Sequence, residues 1–153
     1  MNGTIITLLE KLLDFHIFLE NFYDSLLKNE LILNDYALKN TAVVLKSLET
    51  KHCVLYLETI KEYETLKTPV SGNVITEVDF SLITLKQSLN SYGILNSKQM
   101  IANAIDCENK QIFLLSKIID MLSMEIQEKE SIEVMRMLKR EEENNLEILN
   151  PFI

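Results

Sequence analysis

The sequence predicts an all-α protein, and three observations predict it. Gly and Pro number only three and two in 153 residues. Apolar residues make up 47% of the chain and recur at the i, i+3, i+4 spacing of a helix face over four long segments. The turn signals are few and fall between those segments. A chain of this length is most simply one domain, residues 1–153, large enough to bury a real core.

The first long helix is expected from about Ile5 to Lys28, with an inner stripe of Leu9, Leu12, His16, Leu19, Glu20, Tyr23 and Leu26. Asn34 or Asp35 can cap the second, which continues to about Leu66 on a stripe of Leu38, Ala42, Leu45, Glu49, His52, Tyr56 and Thr59. The link between the two is short, so they should be antiparallel neighbours. Thr68-Pro69 and Ser71-Gly72-Asn73 then break the pattern, and Thr76 to Asn90 regains it before a stop at Tyr92-Gly93. The stretch from about Lys67 to Asn96 therefore reads as a crossover carrying a short helix. Asn96-Ser97 caps the third long helix, with Ile101, Ala104, Ile105, Glu108, Ile112, Leu115, Ile119 and Leu122 inside. A polar stretch, Glu125 to Glu130, precedes the fourth, capped by Ser131, striped by Met135, Leu138, Glu142, Asn145 and Leu149, and ended by Pro151. Two helical hairpins joined by a long crossover make an antiparallel four-helix bundle of ferritin-like connectivity.

Composition narrows the function. The net charge of −8 comes from interspersed acids and bases, and no basic stripe interleaved with aromatics exists, so nucleic acid is not an expected partner. No run approaches the ~20 apolar residues that span a bilayer, so no membrane partner is expected either. The start, Met1 to Leu13, is interrupted by Glu10 and Lys11 and lacks a basic leader and a small-residue cleavage site. Cys53 and Cys107 are isolated, with no C-x-x-C, and read as buried free thiols. A reducing, cytoplasmic location is the expectation.

Each of the four long helices carries a Glu near its middle on its apolar stripe: Glu20, Glu49, Glu108 and Glu142. Burying an unpaired carboxylate costs several kcal/mol or forces protonation. No Lys or Arg lies on the same stripes to neutralise them. Two divalent cations would, and an oxygen-rich set with imidazole suits iron or manganese. The order is a lone Glu, Glu-x-x-His (Glu49, His52), a lone Glu, then Glu-x-x-Asn (Glu142, Asn145). A bundle that holds a metal pair uses one Glu from each of two helices and Glu-x-x-His from the other two. Five of six ligands are present, and Asn145 stands as a weak ligand or a vacant position. His16, Tyr23 and Tyr56 lie on the inner faces as packing or supporting residues. His16, one turn before Glu20, is the candidate to replace the missing imidazole.

Phe18-Leu19-Glu20-Asn21-Phe22-Tyr23, Leu48-Glu49-Thr50-Lys51-His52, Cys107-Glu108 and Glu141-Glu142-Glu143-Asn144-Asn145-Leu146 together resemble the four helix motifs of the rubrerythrin-like branch of the ferritin-like superfamily, with Asn for the second His. The resemblance implies a dinuclear site of two iron ions, or of manganese or a mixed iron–manganese pair, ligated by Glu20, Glu49, His52, Glu108 and Glu142. It implies an oxidoreductase that reduces peroxide or dioxygen, or handles iron, and a possible homodimer. The family's rubredoxin module is missing, so electrons would come from an external electron-transfer protein. The alternative is a metal-poor or metal-free helical bundle that binds a partner.

Overall fold

The computed structural model describes residues 3–89, 94, 96–125 and 129–152 and is almost wholly helical. Along the chain run β1 (Gly3–Thr4), α1 (Ile5–Leu26), α2 (Glu30–Leu33), α3 (Tyr36–Glu62), β2 (Pro69–Val70), α4 (Gly72–Ser88), α5 (Ser97–Glu125) and α6 (Lys129–Leu149), with a closing 3-10 turn over Asn150–Phe152. The all-α expectation holds.

Local chemistry sets most of the boundaries. The Asp35 carboxylate accepts from Leu38 N at 3.1 Å and starts α3. Ser71 does the same for α4 and Asn96 for α5, where its oxygen lies 2.9 Å from Gln99 N. Ser131 is not the cap of α6, because the helix already begins at Lys129. Its hydroxyl is fully buried and donates to the Thr68 hydroxyl at 3.1 Å, tying α6 to the segment after α3. Helix α3 ends at Glu62 rather than Leu66, and its last turn is closed by the Tyr63 N–H on Thr59 O. Two features go beyond the sequence reading. Asn29 caps the one-turn α2 inside the first link. The β1–β2 pair, with Gly3 opposite Val70 and Thr4 opposite Pro69, straps the start of α1 to the start of the crossover. The stop expected at Tyr92-Gly93 lies outside the described residues.

Helix α1 packs along α3 and α5 along α6, while α3 meets α5 and α4 lies against both α1 and α5. The α1–α3 pair is antiparallel: Lys46 reaches Asp24 at 2.8 Å, Thr50 reaches Glu20 at 2.6 Å and Glu49 reaches His16 at 2.8 Å. Among the described residues no helix is long and apolar enough to cross a membrane.

The interior is two apolar cores with a polar layer between them. One is built by Leu8, Leu12 and Phe15 of α1 with Tyr56, Val78, Leu115, Leu122 and Met135. The other joins Tyr23 and Leu26 with Leu38, Leu45, Met100, Ile105 and Leu149. Helices α1, α3, α5 and α6 each pass from one core to the other, and where they do so they contribute His16, Glu49 with His52, Glu108 and Glu142.

Urea denaturation should separate the two kinds of contribution. Leu122→Ala, at a fully buried position, should cost about 2–5 kcal/mol. Asp35→Ala, which removes a cap, should cost about 1 kcal/mol. Equal losses would contradict this division.

Candidate metal centre

Helical phase brings the acids inward. In the run Glu141-Glu142-Glu143 only Glu142 is buried, since it alone is in phase with Leu138 and Leu149. On α3, Glu49 and His52 share a face one turn apart. On α5, Glu108 continues the line of Ala104 and Ile105 into the interior. His16, Glu49, His52, Glu108 and Glu142 are each 5% exposed or less.

His16 stands at the centre. Its Nδ1 lies 2.8 Å from Glu49 Oε2 and its Nε2 3.0 Å from Glu142 Oε1. A carboxylate only accepts, so serving both requires both ring nitrogens to carry protons. Burial pulls the imidazole pKa down, but Glu142 and Glu49 outweigh it and raise it to about 10. For Glu142, burial pushes upward, yet His16 wins and holds the carboxyl at about 2. Glu49 is likewise lowered: burial opposes, and the His16 charge and hydrogen bond prevail. Glu108 goes the other way. Burial, then the Glu142 charge, keep its carboxyl well above the ordinary range, so it rests as the neutral acid.

The structure thus brings together four of the five expected ligands and leaves one apart. Glu20, one turn after His16, is rotated about 40° around the α1 axis from it. It sits half-buried at the rim, accepting from the Thr50 hydroxyl at 2.6 Å. His16, expected to support or to replace an imidazole, instead touches two of the acids directly. Asn145 is buried, with its amide nitrogen 3.5 Å from Glu108 Oε1, at the outer limit of a hydrogen bond. Tyr56 is buried with its ring tilted against His16, centroids 4.8 Å apart, and Tyr23 is buried near Glu49, Cys107 and Glu108. Gln111 was not anticipated. It is buried one turn after Cys107 and donates to the Cys107 sulfur at 3.5 Å; its place three residues after Glu108 was the available signal.

Two overlapping groups of donors come close enough to surround an ion. His16, His52 and Glu142 form one, Glu49, His52 and Glu108 the other, with donor atoms within 4.8 Å of one another. Donors on one first-row ion, at bonds of ~2.1 Å, are themselves ~3–4 Å apart, so small side-chain adjustments suffice. Among the described residues three buried polar atoms make no hydrogen bond of good geometry, His52 Nδ1, Glu108 Oε2 and Glu142 Oε2, and all three belong to these groups. Their nearest contacts are Glu49 Oε2, 3.5 Å from His52 Nδ1, and the facing of the Glu108 acid and the Glu142 carboxylate. Unsatisfied polar atoms are costly in an apolar interior, and three in one place mark a site that a cation fits. No family model, curated protein or solved structure matches the chain.

In metal-free protein, removing His16 as Ala should cost about 3–5 kcal/mol, because two buried carboxylates lose their cation. Glu20→Ala, at the half-buried rim, should change stability by about 0.5 kcal/mol or less. The pH profile has a definite sign. The raised pKa of His16 gives stability that is complete below its ordinary 6.5 and is lost as pH rises through about 10. The lowered pKa of Glu142 gives stability that is complete above its ordinary 4.5 and is lost as pH falls through about 2. The raised pKa of Glu108 gives stability that is complete below its ordinary 4.5 and is lost progressively as pH rises above that value. The melting temperature of the metal-free protein should therefore peak near pH 4.5 and fall as pH rises, more steeply above 6.5. A maximum above pH 8 would contradict the assigned charges.

Proposed function

We propose that this chain is a ferritin-like four-helix bundle whose waist holds a dinuclear, iron-type centre, and that it works as an oxidoreductase on peroxide or dioxygen. The observation that carries the reading is the convergence of five buried donors from four helices, with three atoms among them that make no good hydrogen bond. The resemblance of the four motifs to rubrerythrins supports the reaction class, with peroxide reduction first and iron oxidation or storage second. Iron bound there would supply the two electrons that cleave an O–O bond, drawn from an external donor protein. The chain's own part is to hold, orient and exclude water. Glu49, His52 and Glu108 would take the first ion, since two of their atoms make no good hydrogen bond. Glu142 and His16 would take the second. That position is weaker, because both His16 nitrogens already contact carboxylates and one contact must break. Charge argues the same way. One divalent ion and the His16 imidazolium balance three carboxylates, whereas a second ion in place of the His16 proton leaves an excess positive charge.

A second reading has a specific observation behind it. The Glu49–His16–Glu142 bridge already holds two acids on one imidazolium without any ion and leaves a single net negative charge, which suits a metal-free bundle that binds a partner.

Metal analysis after anaerobic reconstitution with Fe(II) separates the two. The proposed centre should retain one ion tightly and a second more weakly, and the pair Glu49→Ala and His52→Ala should abolish both. Reconstituted protein given a chemical reductant should consume hydrogen peroxide, and the double variant should not. Protein that retains no iron or manganese would remove the first reading and leave the second.

A further inference from the structure

Two cavities meet at Tyr23 and Cys107. The outer one, about 240 Å³, lies between α1 and α5 beside the end of α4, with Phe22 and Met100 as walls. Asn103 and Asp106, both exposed, stand at its mouth. The inner one, about 10 Å³, is lined by Glu49, Glu108, Asn145 and Gln111. That is room for about one water-sized molecule. Tyr23 and Cys107 are walls of both cavities, and each is nearly buried. The inner chamber touches the Glu49–Glu108 side of the cluster, away from the His16–Glu142 contact.

We infer that the outer cavity is the entrance through which a small uncharged oxidant of peroxide or dioxygen size reaches the Glu49–His52–Glu108 side, with Tyr23 and Cys107 as the partition that limits its size. Carboxylates lie at both ends of the route, Asp106 outside and Glu49 inside, so an anion is disfavoured at each end. Asn145 has a specific part. An imidazole at this position would be bulkier and would reach further toward Glu108; the shorter amide leaves the chamber open for a ligand. The end point of the route rests on the proposed metal centre, while the route itself does not.

The test has two arms so that the two ideas fail separately. The first uses metal-free protein carrying Cys53→Ala, in which Cys107 is the one remaining thiol. Methyl methanethiosulfonate labels it by forming a methyl disulfide, releasing methanesulfinate and, from the thiol, a proton. Asn103→Trp, which lays an indole over the mouth, should slow this labelling on the order of tenfold at fixed pH. Asn109→Trp, at an exposed position of the same helix away from the mouth, should leave it unchanged. Asp106→Trp at the other lip provides a second plug should the first fail to fold. Labelling unaffected by a folded plug variant overturns the entrance, whether or not the protein binds metal.

The second arm uses Fe(II)-loaded protein and nitric oxide, a small neutral probe whose binding is read by absorbance. Cys107→Ala should speed its binding and admit tert-butyl hydroperoxide, which the intact partition excludes. Asn145→His should slow it even though it adds a donor. Rates unchanged in both variants overturn the partition. If no iron is retained, the proposed centre fails and the labelling arm alone decides the route.

Discussion

The bridge from Glu49 through His16 to Glu142 is the contact on which the rest depends. It joins α3, α1 and α6 at the level where the two apolar cores are separated, so it sits where hydrophobic contact is weakest. A buried ion pair of this kind is weak evidence for net stability, since desolvation offsets the attraction. Its effect on geometry is stronger. If α1 slipped by one turn, Glu20 would replace His16 and three carboxylates would face one another without a cation. The imidazole therefore penalises that register far more than leucines alone would.

Much of this was legible in the sequence, for a definite reason. On α3 and α6 the apolar stripe is narrow, so the phase of Glu49, His52 and Glu142 selects their direction, even inside an acidic run. On α1 the stripe is broad. Leu9, Leu12, Leu13, Phe15, Leu19 and Tyr23 are all buried, because α3 packs on one side and α4 on another. Within so wide an arc, His16 and Glu20 are equally in phase. The choice between them is made by the neighbouring helices and not by periodicity. The same limit explains the β1–β2 strap and the inward turn of Ser131, both of which depend on partners some sixty residues away in the chain.

No Lys or Arg lies on the inner stripes to neutralise the acids. Histidine can supply the same charge when two carboxylates hold it. That ties Glu49 and Glu142 to α1 without an ion, unlike a small zinc domain that unfolds when its metal is removed. The fold and the proposed centre are thus separable here. Metal occupancy would be added to a folded bundle rather than required by it.

Asn145 stands three residues after Glu142, where a second Glu-x-x-His would place an imidazole. An amide at Asn145 brings neither charge nor a strong donor, so α6 contributes one carboxylate and nothing to balance it. His16 supplies a positive charge to Glu142 from α1, while Asn145 contacts Glu108. Two imidazoles are nonetheless present and lie close together: the His16 and His52 rings are 4.8 Å apart. The consequence is an asymmetric waist. One side is crowded with rings and ion contacts, and the other, bounded by Glu108, Asn145, Cys107 and Tyr23, keeps a small open chamber. If the protein carries out redox chemistry, the asymmetry assigns the sides: charge is held on the histidine side, and the small molecule comes to the asparagine side.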